Sequence, residues 1–244
     1  MAALLPVRAA GFHPKACKVR GGPDNSRVQQ PSRWLLFAIN RFCWLIAWLT
    51  LGVFFRIERR GREHLPRTGG ALVISNHISW FDPPLLNLVL RRIAHWLAMV
   101  ELFKPGFWQW FFTNGGVIPL NRNNPGTGPV KEAIHRLRAG GVLVLFPEGG
   151  IHEEPNTVLS GNPEFRPGAA LIALKADVPI VPAIIQNARA AYQRRNWFFR
   201  RQTIRLTLGE PFRLDAGCNR EAATVLMRDK LLALAAEVKK LPLP

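Results

Sequence analysis

The stretch VISNHISWFDPPL, residues 73–85, decides how this chain folds, because an apolar run stops at an Asn-His pair and two prolines follow an aspartate. Proline is tolerated in the first turn of a helix, and the residue before a proline is driven out of the helical region. The stretch therefore predicts a strand, a turn and a helix that starts beside Asp82. On a regular helix His77 and Asp82 would point in different directions, so they meet only if the turn brings them together.

Two interpretations of that turn are open. In the first, Asp82 is simply the N-cap of the helix, its carboxylate accepts backbone N–H groups, and His77 only ends a strand. In the second, Asp82 orients the imidazole of His77, which acts as a general base; imidazole suits this role because its reference pKa is about 6.5. Replacement of Asp82 by Asn separates the two interpretations, since Asn also caps helices.

Short apolar runs and helical patterns alternate along the rest of the chain, which predicts an α/β fold with ligands at the carboxyl ends of the strands. The predicted strands are residues 71–75, 94–100, 116–120, 142–146, 180–184 and 204–208, and the predicted helices are residues 84–90, 130–137, 167–176 and 220–240. The last strand alternates apolar and polar residues and is expected at a sheet edge. In the last helix, the residues expected to face the core are Val225, Leu231, Leu234 and Val238.

The composition indicates polyanionic partners and lipid surfaces. Lys and Arg number 33 against 16 acidic residues, a formal net charge of +17, which favours nucleic acid, anionic lipid or phosphorylated substrates. The 8 Trp against a single Tyr favour a bilayer interface. The 3 cysteines lie far apart and lack C-x-x-C spacing, so we expect free thiols and neither a disulfide framework nor a zinc or redox site.

The N-terminal third divides by composition. Residues 1–33 are predicted to be a basic, disordered tail, and residues 34–56 a hydrophobic, membrane-associating helix that precedes the α/β domain at residues 57–244. A helix over residues 34–55 would be about 33 Å long, although Asn40 and Arg41 interrupt its apolar run. Basic residues flank both ends, which favours an element that enters and leaves on one anionic, cytoplasmic face. A single transmembrane span and a buried core helix are the alternatives.

Five short stretches carry a resemblance to a known family: NHISWFD, GGVIPLNR, FPEG, FRPG and VPIVPA, at residues 76–82, 115–122, 146–149, 165–168 and 178–183. In this order they resemble the blocks of the glycerolipid acyltransferases related to 1-acyl-sn-glycerol-3-phosphate acyltransferase. The resemblance implies a glycerol-3-phosphate acyltransferase-like fold, a mixed sheet flanked by helices. It also implies transfer of a fatty acyl group from acyl-CoA or acyl-carrier protein to the free hydroxyl of a lysophospholipid, in the first place 1-acyl-glycerol-3-phosphate, giving phosphatidic acid.

The same resemblance implies roles for individual residues. The HxxxxD motif supplies the catalytic pair, His77 as general base and Asp82 as its orienting carboxylate, and substrate binding is expected at Arg122, Glu148, Gly149 and Arg166. A thiolate leaves without a strong general acid, so no covalent nucleophile, bound cofactor or metal is expected.

One departure from the family pattern leaves the acceptor open. The family usually continues FPEG with Thr and a basic residue, whereas Gly150 and Ile151 stand here. Glycerol phosphate or an amino-acid lysolipid is therefore an alternative acceptor.

A non-catalytic basic protein that binds a membrane or nucleic acid is the alternative outside this family. The stretch 188–205 mixes Arg with aromatic residues, a combination that holds single-stranded nucleic acid but also suits a lipid interface. Beside a hydrophobic helix the lipid interpretation is favoured, so a membrane-associated protein without a nucleic-acid partner is expected. His152, Glu153 and Glu154 are expected in a solvated loop, because adjacent loop residues rarely converge on one metal ion.

Overall fold

A computed structural model describes residues 31–90, 92–121, 126–152, 155–189, 202–215 and 217–241. The predicted tail therefore lies almost wholly outside the described residues, as do most of the Arg-rich stretch 188–205 and two of the predicted loop residues, Glu153 and Glu154. Arg122, predicted to bind substrate, lies outside them as well.

The described residues form six α-helices and one seven-stranded sheet. The helices are α1 Arg33–Phe54, α2 Asp82–Val89, α3 Phe107–Asn114, α4 Thr127–Arg138, α5 Gly168–Ala176 and α6 Arg220–Lys239. The strands are β1 Phe55–Arg60, β2 Ala71–Ser75, β3 Ala94–Met99, β4 Val117–Leu120, β5 Val142–Leu145, β6 Ile180–Gln186 and β7 Gln202–Leu208. Two short 3-10 helices cover Arg62–His64 and Val100–Leu102.

The sheet is mixed and runs in the order β1-β7-β6-β2-β5-β3-β4. All neighbouring strands are parallel except β6 and β7, which are antiparallel. Both faces are covered: α1 and α2 pack with Val73 of β2 on one face, while α4, α5 and α6 pack with Leu72 on the other. The central strands β2 and β5 are buried throughout, which explains why their sequences are continuous apolar runs without alternation.

Two expectations about the sheet are wrong for one electrostatic reason. Residues 55–60 were expected to end the first helix and begin a connector, yet they form the edge strand β1; β7, expected at the edge, lies inside it. Arg205 of β7 is only 1% exposed, and its Nε donates to Oε2 of Glu58 on β1 at 2.7 Å. Arg205 therefore pairs with Glu58 on the neighbouring strand, and its polarity does not indicate exposure.

The expected inner face of the last helix needs one correction. Val225 is 54% exposed, whereas the buried stripe of α6 consists of Ala223, Met227, Leu231, Leu234, Ala235 and Val238. Small residues supply part of this stripe because α6 lies close against α5 and β6.

Helix α1 is long and apolar enough to cross a membrane, by length and composition. It ends at Phe54, two residues earlier than expected, because Phe55 already enters β1. The two polar residues that interrupt its apolar sequence lie in different environments. Asn40 is buried and its amide donates to the carbonyl oxygens of Leu36 and Gly115, while the exposed Arg41 lies over the rings of Phe37 and Trp44.

A buried cluster joins α4 to the β3–β4 edge. Nη1 of Arg136 donates to Nδ1 of His95 at 3.0 Å and to the carbonyl oxygen of Gly116 at 2.8 Å, and its Nε donates to Glu132 at 2.7 Å. A guanidinium can only donate, so the neutral ring of His95 accepts at Nδ1. Burial, together with the positive charge of Arg136, lowers the pKa of His95 to about 4.

We expect acid to weaken this cluster. The unfolded chain takes up a proton on His95 near pH 6.5, whereas the folded chain does so only near pH 4, so this stabilisation is lost as the pH falls. The loss from this ring is about 2 kcal/mol between pH 7 and pH 4.5. His95→Gln keeps an acceptor for Arg136 but binds no proton. Urea unfolding across this pH range should give a flatter curve for His95→Gln, while the exposed control His135→Gln should follow the wild type.

Candidate active site

The chain leaves β2 at a fixed point because of Asn76. Its side-chain amide donates to the carbonyl oxygen of Ile185 at 3.0 Å, and its amide oxygen accepts the Ile185 N–H at 2.8 Å. The side chain thus continues the hydrogen-bond ladder between β2 and β6 where the backbone turns away. His77, the next residue, starts the turn at the carboxyl end of the central parallel strands, where an α/β sheet holds its ligands.

One oxygen of Asp82 organises the whole turn. Oδ2 accepts from Nδ1 of His77 at 2.8 Å, from the N–H of Ile78 at 2.7 Å and from the N–H of Ser79 at 2.8 Å. Asp82 is the first residue of α2, the N-cap position belongs to Phe81, and the carboxylate points back into the turn. The pure capping interpretation is therefore wrong, and the turn brings the imidazole and the carboxylate together.

The contacts of His77 leave one ring nitrogen for chemistry. A carboxylate only accepts, so Nδ1 carries the proton and Nε2 carries the lone pair. Within the described chain no hydrogen bond to Nε2 is formed, and the ring stacks on Phe146 with centroids 4.0 Å apart. Burial raises the pKa of Asp82, although hydrogen bonds from His77 and the two turn N–H groups oppose that rise.

Glu148 supports His77 from the neighbouring strand. Its Oε2 accepts the backbone N–H of His77 at 2.7 Å, its Oε1 accepts the N–H of Val158 at 3.0 Å, and the residue is 2% exposed. Burial raises the pKa of this carboxyl, and the two N–H groups oppose the rise. Both oxygens thus accept backbone N–H groups, and a contact of Glu148 with the acceptor stays a prediction.

Gly149 and Arg166 lie side by side next to this carboxylate. Gly149 has φ +79°, and a Cβ there would lie 2.9 Å from Cγ of Arg166, so both the backbone conformation and the packing require glycine. The N–H of Arg166 donates to the carbonyl oxygen of Pro147 at 2.8 Å, which ties the FRPG stretch to the FPEG turn. Among the residues that the structure describes, no carboxylate pairs with the exposed guanidinium of Arg166.

A cavity of about 680 Å³ opens beside His77. Most of its lining is apolar and comes from α1, β3 and α3, with Ile39, Cys43, Trp96, Met99, Phe111 and Phe112 among these residues, while Asn40 and Asn87 also line it. Its polar end, joined by the contacts described above, is formed by His77, Gly149, Gly150, His152 and Arg166. The volume is within the usual range of about 300–1,000 Å³ for ligand sites, and the cavity offers apolar walls together with an imidazole.

His152 is a site residue that the sequence interpretation missed. It lines the cavity, and its Nε2 donates to the carbonyl oxygen of Glu148 at 3.1 Å, so it is not simply a solvated loop residue. The conformation of the Gly149–Gly150 turn places His152 at the cavity, and the spacing of residues in the sequence does not predict that turn.

Over the described ranges, no group of three His, Cys, Asp or Glu side chains could hold a metal ion.

Comparisons with known proteins identify a family for this chain. A family described as Acyltransferase matches residues 56–186. The chain belongs to this family. It is 27% identical over 172 residues to 1-acyl-sn-glycerol-3-phosphate acyltransferase of Bacillus subtilis, a match that covers 70% of this chain and 81% of that protein. The enzyme of the same name from Streptococcus pneumoniae is 28% identical over 113 residues, 46% of this chain and 39% of the relative.

The fold also has a solved counterpart. The crystal structure of the 1-acyl-sn-glycerophosphate acyltransferase PlsC from Thermotoga maritima superimposes with a TM-score of 0.66 at 22% identity, over 85% of this chain and 80% of that one. The predicted mixed α/β sheet flanked by helices is thereby confirmed, and so is the predicted acyltransferase family. The roles of individual residues stay predictions.

We expect Asp82→Asn to reduce turnover by about 10³–10⁴-fold, because a neutral amide cannot stabilise the imidazolium of His77 as a carboxylate does. With the amide oxygen in the place of Oδ2, Nδ1 of His77 and the N–H groups of Ile78 and Ser79 keep their acceptor, so the fold should persist. The measurements are thioester cleavage at saturating substrate and circular dichroism, with the exposed Asp229→Asn as matched control. Wild-type turnover in Asp82→Asn would show that the pairing has no catalytic part.

Glu148→Gln tests whether this side chain supports His77 or binds the acceptor. The amide has one acceptor oxygen, so one of two backbone N–H groups faces an NH2 group, at a cost of about 1–3 kcal/mol in unfolding free energy. We expect a lower melting temperature and a lower kcat with the acceptor KM unchanged. The exposed Glu164→Gln, in the same loop, is the control. A raised KM at unchanged kcat would instead favour direct acceptor binding.

Proposed function

We propose that this protein transfers a fatty acyl group from a thioester donor, acyl-CoA or acyl-carrier protein, to the free hydroxyl of a lysophospholipid, in the first place 1-acyl-glycerol-3-phosphate. The observation that carries the proposal is the His77–Asp82 pair at the polar end of an apolar cavity. The names of the relatives from Bacillus subtilis and Streptococcus pneumoniae support the same acceptor.

The reaction needs one base and one orienting carboxylate. Nε2 of His77 takes the proton from the acceptor hydroxyl while the hydroxyl oxygen attacks the thioester carbonyl carbon. Asp82, hydrogen-bonded to Nδ1, stabilises the imidazolium that forms. The tetrahedral intermediate collapses, the C–S bond breaks, and the thiolate leaves with the electron pair; the imidazolium returns its proton to the thiolate. No bound cofactor takes part in any step.

The cavity suits the acyl chain. Its apolar walls on α1, β3 and α3 would bury methylene groups, each worth about 0.8 kcal/mol when removed from water. With the chain in this cavity, the thioester carbonyl would lie at the His77 end. Arg166, exposed at that end, would bind the phosphate of the acceptor, with Arg122 as a second proposed phosphate ligand.

The proposed location of the protein follows from the proposed lysophospholipid substrate. A lysophospholipid is presented by a bilayer, and α1 has the length and composition of a membrane-associating helix. We therefore propose that the protein works attached to a membrane on its cytoplasmic face. The basic excess would favour a surface rich in anionic lipid.

The decisive experiment is a thiol-release assay on the purified full chain. Acyl-CoA and acyl-carrier protein are tested separately with lysophosphatidic acid, glycerol 3-phosphate and an amino-acid lysolipid. We expect cleavage that depends on lysophosphatidic acid and is abolished in His77→Ala, which should still sediment with vesicles. Greater activity on another acceptor would show that the protein prefers a different acceptor head group from that of lysophosphatidic acid. Absence of thioester cleavage with every acceptor, together with salt-sensitive binding of polyanions, would favour the non-catalytic alternative.

A further inference from the structure

The exposed large apolar side chains of the described residues are concentrated in three segments. Of fourteen such side chains, thirteen lie in α1, in α3 or in the turn after His77, and the exception is Val225 on α6. They are Trp34, Phe37, Phe42, Leu45, Ile46, Trp48, Leu49, Val53, Trp80, Phe81, Phe107, Trp108 and Trp110. Scattered exposed apolar residues need no explanation, but a concentration of this kind marks an interaction surface.

The three segments adjoin one another. Helix α1 packs against both α2 and α3, and Trp80 and Phe81 immediately precede α2. The amide of Asn40 in α1 donates to the carbonyl oxygen of Gly115, the C-cap residue of α3. None of the eight residues of α3 is fully buried, and its Phe107, Trp108 and Trp110 are exposed. We call the surface made by α1, α3 and the turn residues Trp80 and Phe81 the aromatic face.

The substrate cavity lies behind the same face. Its walls include Ile39 and Cys43 of α1, Trp80 of the turn, and Phe111 and Phe112 of α3. Each segment of the aromatic face therefore contributes residues both to the outer surface and to the cavity. A lipid chain lying against this face would be next to the opening.

We propose that α3 and the Trp80–Phe81 turn form a second membrane contact beside α1, so that the cavity takes its lipid substrate directly from an anionic bilayer. This inference deepens the proposed function and rests on it for the identity of the lipid. It assigns to α3 a function that the hydrophobic sequence of α1 does not indicate. With α1 alone as the anchor, the domain could still rotate about the axis of that helix. A second contact beside the cavity fixes its opening against the lipid.

Charge and chemistry favour a bilayer over a second copy of this chain. The face is bordered by exposed basic residues, Arg33, Arg41, Arg56 and Lys104. With a formal net charge of +17, two copies would repel each other, whereas anionic lipid attracts such a border. Trp and Phe beside basic side chains are the composition of interfacial helices, which lie with aromatic rings at head-group depth.

The test compares two presentations of the substrate with a variant of α3. Phe107→Ser/Trp108→Ser/Trp110→Ser changes the outward rings and leaves the cavity-lining Phe111 and Phe112 in place. Val225→Ser, at the exposed apolar residue outside the face, is the matched control. Each protein is assayed on long-chain lysophosphatidic acid in phosphatidylglycerol–phosphatidylcholine vesicles, and on a short-chain, water-soluble lysophosphatidic acid with short-chain acyl-CoA below micelle formation.

We expect the triple variant to lose at least about tenfold in kcat/KM on vesicles and to stay within about twofold of wild type on the soluble pair. Tryptophan emission of the wild type should be quenched by brominated lipid more than that of the variant. Equal activity on vesicles would overturn the proposal, and so would an equal loss on both substrates, which would indicate damage to fold or catalysis. If even the wild type cleaves no thioester, the proposed function fails, and quenching still decides whether α3 touches the bilayer.

Discussion

The triple hydrogen bond to Oδ2 of Asp82 is the interaction on which the site depends. A fully buried carboxylate is costly unless N–H groups compensate for the lost water, and here two backbone N–H groups and one imidazole N–H do so at Oδ2, while Oδ1 has no partner among the described residues. The same three bonds bend the chain after β2 and fix the tautomer of His77. One side chain therefore supports both the path of the backbone and the tautomer of the base.

The register of the sheet provides the rest of the geometry. In the parallel pair of β2 and β5, Ile74 lies opposite Leu145, and three residues beyond each stand His77 and Glu148. Because His77 and Glu148 each lie three residues beyond a paired position, the Glu148 carboxylate lies beside the His77 backbone. The carboxylate accepts the His77 N–H there at 2.7 Å. Through Val158 the same carboxylate also holds the loop that leads to Arg166. The turn with the base and the proposed substrate-binding loop thus share one buried support.

What the sequence could predict follows from whether the relevant interaction is local. The strands with continuous apolar runs were predictable because they are buried on both faces. The two prolines predicted the turn after His77 but left two interpretations of Asp82 open, and the resemblance to the family favoured the pairing that the structure shows. Edge strand β1 was not, since its charged residue Glu58 is matched by Arg205, 147 positions away. Likewise Glu148 and His152 gain their places from strand register and a left-handed turn, which residue types alone do not encode.

Helix α1 is part of the catalytic domain as well as a hydrophobic segment. Its buried stripe includes Ala47 and Leu51, and the chain continues without a break from Phe54 into β1, which pairs with β7 along its whole length. The orientation of the helix is thereby fixed relative to the sheet, and the N-terminal part of the same stripe forms a wall of the cavity through Ile39 and Cys43. A segment that simply tethered the enzyme could be exchanged for any other anchor. Removal of α1 would instead open the cavity along one side, so the proposed membrane attachment and the proposed binding of the acyl chain depend on the same helix and cannot be separated by truncation.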